Sequence, residues 1–130
     1  MLVIDANVAR AACGGEGDGF ALLGDELVSV PLMWSEARAS LHLALLKGEI
    51  GREDGEIIHD RLETCPVDRI NPPELGKEAW RLAEEFGWGR TYDAEYVALA
   101  RLLGYRLVTL DTRLRRGADR LGFVVTPAEL

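Results

Sequence analysis

The sequence predicts an α/β protein in which a parallel β-sheet is covered by helices on both faces. Two observations support this fold class: the alternation of two kinds of segment, and the Gly- and Pro-rich breakers between them. Short apolar, β-branched runs alternate along the chain with longer stretches that have the periodicity of amphipathic helices. Parallel strands need a crossover connection, usually a helix, so this alternation favours a parallel sheet. The chain has 130 residues, of which 48% are hydrophobic, and residues 1–130 are therefore expected to form one domain around one core.

Five runs are predicted to be β-strands. They are short, and segments rich in Gly or Pro lie at several of the joints between predicted elements. Three such segments are "CGGEGDGF" at 13–20, "INPPE" at 70–74 and "FGWGR" at 86–90. The predicted strands are residues 2–4, 27–30, 67–70, 106–110 and 123–126.

Seven stretches between these strands are predicted to be helical. In the stretch 92–103, apolar residues recur at spacings of three and four, and Gly104 follows as a stop signal. Tyr96 belongs to this apolar stripe and is expected in the core. The predicted helices are residues 8–12, 20–23, 32–47, 52–63, 74–86, 92–103 and 112–121.

Charge limits the classes of partner that the chain can bind. The net charge of −7 argues against a general affinity for nucleic acid, which usually needs an excess of Lys and Arg. Residues 90–120, however, hold seven Arg and four acidic residues, a local balance of +3. This basic segment is compatible with local phosphate contacts, and a solvated helix face explains the same arginines about as well.

The sequence favours a cytoplasmic protein with no membrane contact. No apolar run approaches the roughly 18 residues of a membrane span, and the start lacks the basic and apolar regions of a signal peptide. Cys13 and Cys65 lie far apart without a metal-type spacing, so both are expected to be reduced, mostly buried thiols.

Four acidic residues are predicted to meet at one edge of the sheet. Asp5 and Asp111 directly follow predicted strands, whereas Glu36 and Asp93 lie near the beginnings of predicted helices. In an open parallel sheet, strand ends and the starts of the following helices share one edge, where ligands bind at a topological switch point. All four carboxylates are therefore expected to face the same crevice.

Crowded carboxylates need a compensating charge. Two carboxylates 4 Å apart repel by about 4 kcal/mol at an effective dielectric constant of 20. Hard oxygen ligands without nearby His or Cys suit Mg²⁺ or Mn²⁺, so the pattern predicts a divalent-cation site.

Each of these residues also has a simpler interpretation. Taken singly, Asp5 and Asp111 fit N-caps, Asp93 fits a helix-dipole partner and Glu36 fits a surface position. Only the shared edge favours a site.

Four longer segments of the sequence are similar to those of a known protein family. They are "LVIDANV" at 2–8, "VPLMWSEARASL" at 30–41, "TYDAEYVALARLLGYRLVTLDTRL" at 91–114 and "GFVVTP" at 122–127. Together they make the chain resemble the VapC-type toxins of the PIN-domain ribonuclease family. The third segment is the most specific, and the resemblance spans nearly the whole chain.

The resemblance implies a fold, an activity and a set of site residues. The implied fold is a three-layer α/β/α domain with a five-stranded parallel sheet, and the implied activity is hydrolysis of RNA phosphodiester bonds by a metal-activated water, with Mg²⁺ or Mn²⁺ as cofactor. The implied partners are RNA, a cognate VapB-like antitoxin and a second copy of the chain in a homodimer. The implied catalytic residues are Asp5, Glu36, Asp93 and Asp111, with Asp5, Asp93 and Asp111 as metal ligands.

Five further residues are weaker site candidates. Asn7 and Thr109 either hydrogen-bond to the carboxylates or are ordinary cap and strand residues. Three arginines after the last strand-end Asp are candidates for RNA phosphate contacts, namely Arg113, Arg115 and Arg116.

The sequence leaves two other classes of function open. A Mg²⁺-dependent phosphoaspartyl phosphatase or a receiver-like domain also places Asp at strand ends, with Asp5 as the nucleophile or phospho-acceptor. Such proteins need a Lys near the phosphate, and Lys47 and Lys77, the only lysines, follow no predicted strand directly. A binding module with a degenerate site is the third alternative, which the complete set of four acids disfavours.

Overall fold

A computed structural model describes all 130 residues and contains one five-stranded sheet. All neighbouring strands are parallel, in the order β3-β2-β1-β4-β5. This confirms the predicted fold class, although four of the five strands are one to two residues shorter than predicted. The strands are β1 Leu2–Ile4, β2 Leu27–Ser29, β3 Val67–Arg69, β4 Arg106–Val108 and β5 Val124–Val125.

Six α-helices connect and flank these strands. They are α1 Ala6–Gly14, α2 Leu32–Leu46, α3 Arg52–Glu63, α4 Leu75–Phe86, α5 Tyr92–Leu103 and α6 Thr112–Gly117. Three single 3₁₀ turns lie at Ala21–Leu23, Asp119–Leu121 and Pro127–Glu129. No helix is both long enough and apolar enough to cross a membrane.

Helix ends account for the main departures from the predicted elements. Helix α1 begins before residue 8, because Asp5 caps it by accepting a hydrogen bond from the backbone N–H of Val8, 3.0 Å away. It also runs on into the Gly-rich segment. The predicted helix 112–121 divides into α6 and the following 3₁₀ turn, and the predicted helix 20–23 is a 3₁₀ turn.

The strand order places helices on both faces of the sheet. The chain moves outward from β1 through β2 to β3 and then returns past β1 to β4 and β5. Because crossovers between parallel strands are right-handed, α1, α2 and α3 cover one face, while α4, α5 and α6 cover the other. Accordingly, the first three helices contact one another, and α4 packs along α5. The result is a three-layer α/β/α architecture.

The core lies on both faces of the sheet, between the strands and the two layers of helices. A cluster of 32 buried hydrophobic residues includes the whole of β1. Helix α5 contributes six buried residues and contacts β1 and β4. It ends at Gly104, whose φ of 73° is a left-handed conformation that favours glycine.

The switch point of the topology lies between β1 and β4. The connections from these two adjacent strands leave in opposite directions, which opens a crevice at their carboxyl ends. The register pairs Ile4 with Val108, so the residues that follow these strands, Asp5 and Thr109, come side by side. Helix α5, packed against the same two strands, brings its first turn to this edge.

Candidate active site

Asp5 lies at the centre of the crevice and is almost completely buried. Its carboxylate is only slightly accessible, with 5% of the residue exposed, and accepts hydrogen bonds from the Val8 N–H and the Thr109 hydroxyl. Burial raises the pKa of Asp5, the two hydrogen bonds act in the opposite direction, and the charges of Asp93 and Asp111 raise it further. Three carboxylates thus interact electrostatically at this point.

Thr109 connects the Asp5 carboxylate to the backbone of Asp111. It is fully buried, its hydroxyl donates to Asp5, and the same oxygen accepts the backbone N–H of Asp111 at 3.0 Å. This local turn follows β4 at Val108, whereas the strand was predicted to continue to residue 110. Of the two roles left open for Thr109, the structure shows the hydrogen bond to a carboxylate.

Asp111 and Asp93 complete the acidic part of the crevice. Asp111 caps α6 by accepting backbone N–H groups of Arg113 and Leu114 at 2.9 and 3.2 Å. Asp93 lies in the first turn of α5. Its pKa is raised by partial loss of solvent and by the charge of Asp111, and lowered by the guanidinium of Arg113. Asp93 therefore lies among the strand-end acids.

Glu36 reaches the site from the opposite layer of helices. It lies in the second turn of α2, is half-buried, and accepts a 2.6 Å hydrogen bond from the hydroxyl of Tyr96. Burial raises the pKa of Tyr96, and the hydrogen bond to Glu36 and the charges of Glu36, Asp5 and Asp93 raise it further. The Tyr96 hydroxyl therefore lies within the electrostatic reach of all three acids.

Two residues of the site were not identified from the sequence. Tyr96 was predicted only as part of an apolar stripe, yet a buried tyrosine hydroxyl usually needs a hydrogen-bond partner, and that signal was present. Glu95 is a fifth carboxylate, whose pKa is raised by burial and by the charge of Glu36. The sequence shows Glu95 next to Tyr96, but no pattern in it indicates that Glu95 lies near Glu36 of α2.

The other predicted site residues have different environments. Arg113 is exposed and acts on Asp93. Arg115 is instead paired with Asp119 at 2.6 Å and with Glu129 at 2.8 Å, while Arg116 is exposed without an ion pair. The side chain of Asn7 is exposed and makes no hydrogen bond to a carboxylate. Of the three arginines, only Arg113 is shown to influence the acidic crevice.

The donor set fits a hard divalent cation. Nearby carboxylate oxygens with no His or Cys among them are the ligands that Mg²⁺ and Mn²⁺ prefer. As the side chains stand, no three His, Cys, Asp or Glu residues are close enough together to enclose a metal. Mg²⁺ usually keeps several waters and is held by one or two carboxylates, so a closed cage is not required.

The acidic crevice is separate from two grooves elsewhere in the molecule. A groove of about 290 Å³ lies between α2 and α3, and a second, of about 250 Å³, lies between α1 and the end of α3. None of the predicted catalytic acids lines either groove. The candidate site therefore lies apart from both grooves.

Comparison with known proteins identifies the family. The PIN-domain family model matches residues 2–120 of the chain. The chain belongs to the PIN-domain family. Ribonuclease VapC9 of Mycobacterium tuberculosis is 33% identical over 115 residues, which cover 88% of each chain. Ribonuclease VapC1 of the same organism is 32% identical over 118 residues, covering 86% of each chain.

Solved structures show the same fold as this PIN-domain chain. A protein from Pyrobaculum aerophilum superposes with a TM-score of 0.74 at 22% identity, over 98% of this chain and 90% of that one. A chain from a toxin–antitoxin complex of Klebsiella pneumoniae gives a TM-score of 0.69 at 18% identity, over 98% of both chains. The likeness to a VapC-type PIN domain, first suggested by the motifs, is confirmed.

Proposed function

We propose that this PIN-domain protein is a metal-dependent endoribonuclease and the toxin of a VapBC-type toxin–antitoxin pair. Its family membership and its relatives, which are named VapC ribonucleases, support this function. The single observation that carries the proposal is the meeting of Asp5, Asp93 and Asp111 at the switch point, where the last two raise the pKa of the first. Repulsion among these charges is relieved when a cation binds.

The cofactor in this proposal is Mg²⁺ or Mn²⁺, held by Asp5, Asp93 and Asp111 directly or through water. When bound, such an ion activates a water for attack on phosphorus and offsets negative charge on the phosphate. No ribose hydroxyl is needed as the nucleophile.

The chain's own residues prepare the site before a metal arrives. The Val8 N–H and the Thr109 hydroxyl fix the two oxygens of Asp5, while backbone N–H groups orient Asp111. Glu36, held from the other layer of helices, would contact the metal through a water and is the candidate to orient the attacking water. Fixed orientation matters because misplaced groups lose much of their catalytic effect.

The proposed substrate is RNA, and the relatives of the chain, which are named ribonucleases, support this choice. Arg113, exposed next to Asp93, is the leading candidate for a contact with a substrate phosphate.

The proposed partners are a VapB-like antitoxin and a second copy of the chain. The solved structure from Klebsiella pneumoniae is described as a toxin–antitoxin complex, which supports an antitoxin partner. We further propose that residues 1–130 act as a single domain in the cytoplasm, and the single hydrophobic cluster supports the single domain.

Cleavage assays with and without divalent cations test this function. Purified native protein is incubated with tRNA, rRNA and mRNA in the presence of Mg²⁺, Mn²⁺ or a chelator. The Asp5→Asn variant is compared with Asp68→Asn, a matched control because Asp68 is exposed on the edge strand β3. We expect cleavage only with a metal, its loss in Asp5→Asn and native cleavage in the control. Equal cleavage by the native protein and Asp5→Asn, or cleavage unaffected by chelation, would contradict the proposal.

The phosphoaspartyl alternative gains no support from the structure. Neither Lys47 nor Lys77 is among the charges that shift the pKa values of Asp5 and Asp93.

A further inference from the structure

The hydroxyl of Tyr96 is a buried polar group in an otherwise apolar part of helix α5. The remaining buried residues of this helix are Ala, Val and Leu, and Tyr96 itself is 1% exposed. Its hydroxyl donates to Oε1 of Glu36 at 2.6 Å. A buried phenol without a partner would be costly, so the fold places this hydroxyl where a carboxylate can accept its hydrogen bond.

This hydrogen bond joins the two layers of helices across the edge of the sheet. Glu36 comes from α2 on one face, and Tyr96 comes from α5 on the other. Tyr96 follows Asp93 by three residues, so both side chains lie on the same side of α5. A single contact therefore links the position of Glu36 to the helix that carries Asp93.

Glu36 also has a neighbour of like charge. The pKa of the Glu95 carboxyl is raised by burial and by the charge of Glu36. Repulsion between like charges favours rotation of the Glu36 carboxylate away from Glu95. A hydroxyl that donates to an ionised carboxylate makes a strong, charge-assisted hydrogen bond that opposes this rotation.

We propose that Tyr96 is a positioning residue that holds the Glu36 carboxylate toward the acidic crevice through its hydroxyl hydrogen bond. The inference rests on the proposed function, because it assigns Tyr96 an effect on catalysis through Glu36. Tyr96 transfers no proton and contacts no substrate in this role.

The Tyr96→Phe variant tests this role because it removes one oxygen and keeps the ring. Tyr105→Phe is the matched control, since Tyr105 packs partly buried against the core and makes no side-chain hydrogen bond. Loss of a group that orients a metal-site residue typically lowers metal affinity or activity about 10–100-fold. We expect a fall of this size in kcat for Tyr96→Phe, with KM for RNA nearly unchanged, and native values for the control.

Metal binding provides a readout that does not depend on activity. Mn²⁺ is titrated into RNA-free native protein and into both variants, and the free ion is followed by electron paramagnetic resonance. We expect weaker Mn²⁺ binding, by about tenfold, in Tyr96→Phe alone. Thermal unfolding of the metal-free proteins verifies that each variant is folded.

A double variant separates positioning from a merely structural role. If Tyr96 acts through Glu36, then Tyr96→Phe has no further effect on kcat or Mn²⁺ binding once Glu36→Gln is present. An equal further loss in that background, or native kcat and Mn²⁺ affinity for Tyr96→Phe, overturns the inference. If Tyr96→Phe weakens Mn²⁺ binding as expected but the native protein cleaves no RNA, the proposed function fails while the positioning role stands. If the native protein cleaves RNA and Tyr96→Phe does so equally well, only the positioning role fails.

Discussion

The two acids that follow strands are held differently from the two that lie on helices. Asp5 and Asp111 each accept a backbone N–H from the helix that begins immediately after them. Glu36, in contrast, accepts one side-chain hydrogen bond from a residue 60 positions away, and Asp93 accepts none. The strand-end half of the site is thus built by local sequence, whereas the helix half depends on how the layers pack.

The two pairs of carboxylates therefore differ in how freely they can move within the crevice. The strand-end carboxylates cannot move without disrupting a helix cap, so they form the fixed part of the site. Asp93, which accepts no hydrogen bond, can adjust when a cation or a phosphate arrives, whereas Glu36 is held only by the Tyr96 hydroxyl. Variants in the fixed half are therefore expected to have the larger effects.

The largest effect is expected for Asp5→Asn. The amide keeps an oxygen to accept the Val8 N–H, so the fold is retained, but it removes the negative charge at the centre of the acidic group. Removal of a residue that hydrogen-bonds to a metal ligand typically lowers activity about 10–100-fold, and loss of a ligand itself should lower it more. Initial rates of RNA cleavage at saturating Mg²⁺ measure the effect. A loss below tenfold would mean that Asp5 does not hold the metal.

A smaller effect is expected for Thr109→Val, which keeps the shape of the side chain and removes the hydroxyl. Asp5 loses a donor while it stays buried, so the free energy of unfolding should fall by about 1–3 kcal/mol. Cleavage should fall by about 10–100-fold. Denaturant unfolding and cleavage rates measure the two effects, with Thr109→Ser as the control that keeps the hydroxyl. Native cleavage by Thr109→Val would show that Asp5 does not need the Thr109 hydroxyl for activity.

The same difference explains which parts of the site could be predicted from sequence. Asp5 and Asp111 were located by their place after apolar runs, because strand ends of a parallel sheet share one edge regardless of side-chain detail. The five strands and their parallel arrangement followed from the alternation of β and α patterns. Helix ends were less accurate, since the cap at Asp5 starts α1 earlier than its apolar pattern indicates.

The helix half of the site could be predicted only in outline. Periodicity placed Tyr96 on the buried face of α5, but no pattern in one helix reveals that its hydroxyl meets Glu36 of another. The three arginines after Asp111 were indistinguishable in sequence for the same reason. The C-terminal turn, which carries Glu129, decides that Arg115 is paired in the folded protein.

A change in the salt dependence of RNA binding is expected for Arg113→Gln. Loss of one phosphate contact should reduce the slope of log affinity against log salt concentration by about 0.7 for single-stranded RNA. Arg116→Gln is the matched control, because Arg116 is exposed on the same helix and does not influence Asp93. Fluorescence anisotropy in the non-cleaving Asp5→Asn background measures both slopes. Equal slopes for the two variants would remove Arg113 from the substrate path.

The smallest effect is expected outside the site, at the pair formed by Glu129 and Arg115. The hydrogen bond from Arg115, aided by the backbone N–H of Thr126, lowers the pKa of Glu129 from 4.5 to about 2. Because the folded pKa lies below the unfolded one, ionised Glu129 stabilises the fold above pH 4.5, and this contribution is lost as the pH falls toward 2. Both side chains are well solvated, so the stabilisation is small and weakened by salt.

Thermal unfolding over a series of pH values measures this contribution. Glu129→Gln should unfold at a slightly lower temperature than the native protein near neutral pH, and the difference should vanish as the pH approaches 2. Glu16→Gln serves as the control, since Glu16 is exposed and has no ion pair. RNA cleavage should be the same in all three proteins, because this pair lies beyond both halves of the site. A loss of cleavage in Glu129→Gln would instead show that the C-terminal turn supports the crevice, and the fixed half would then extend past Asp111.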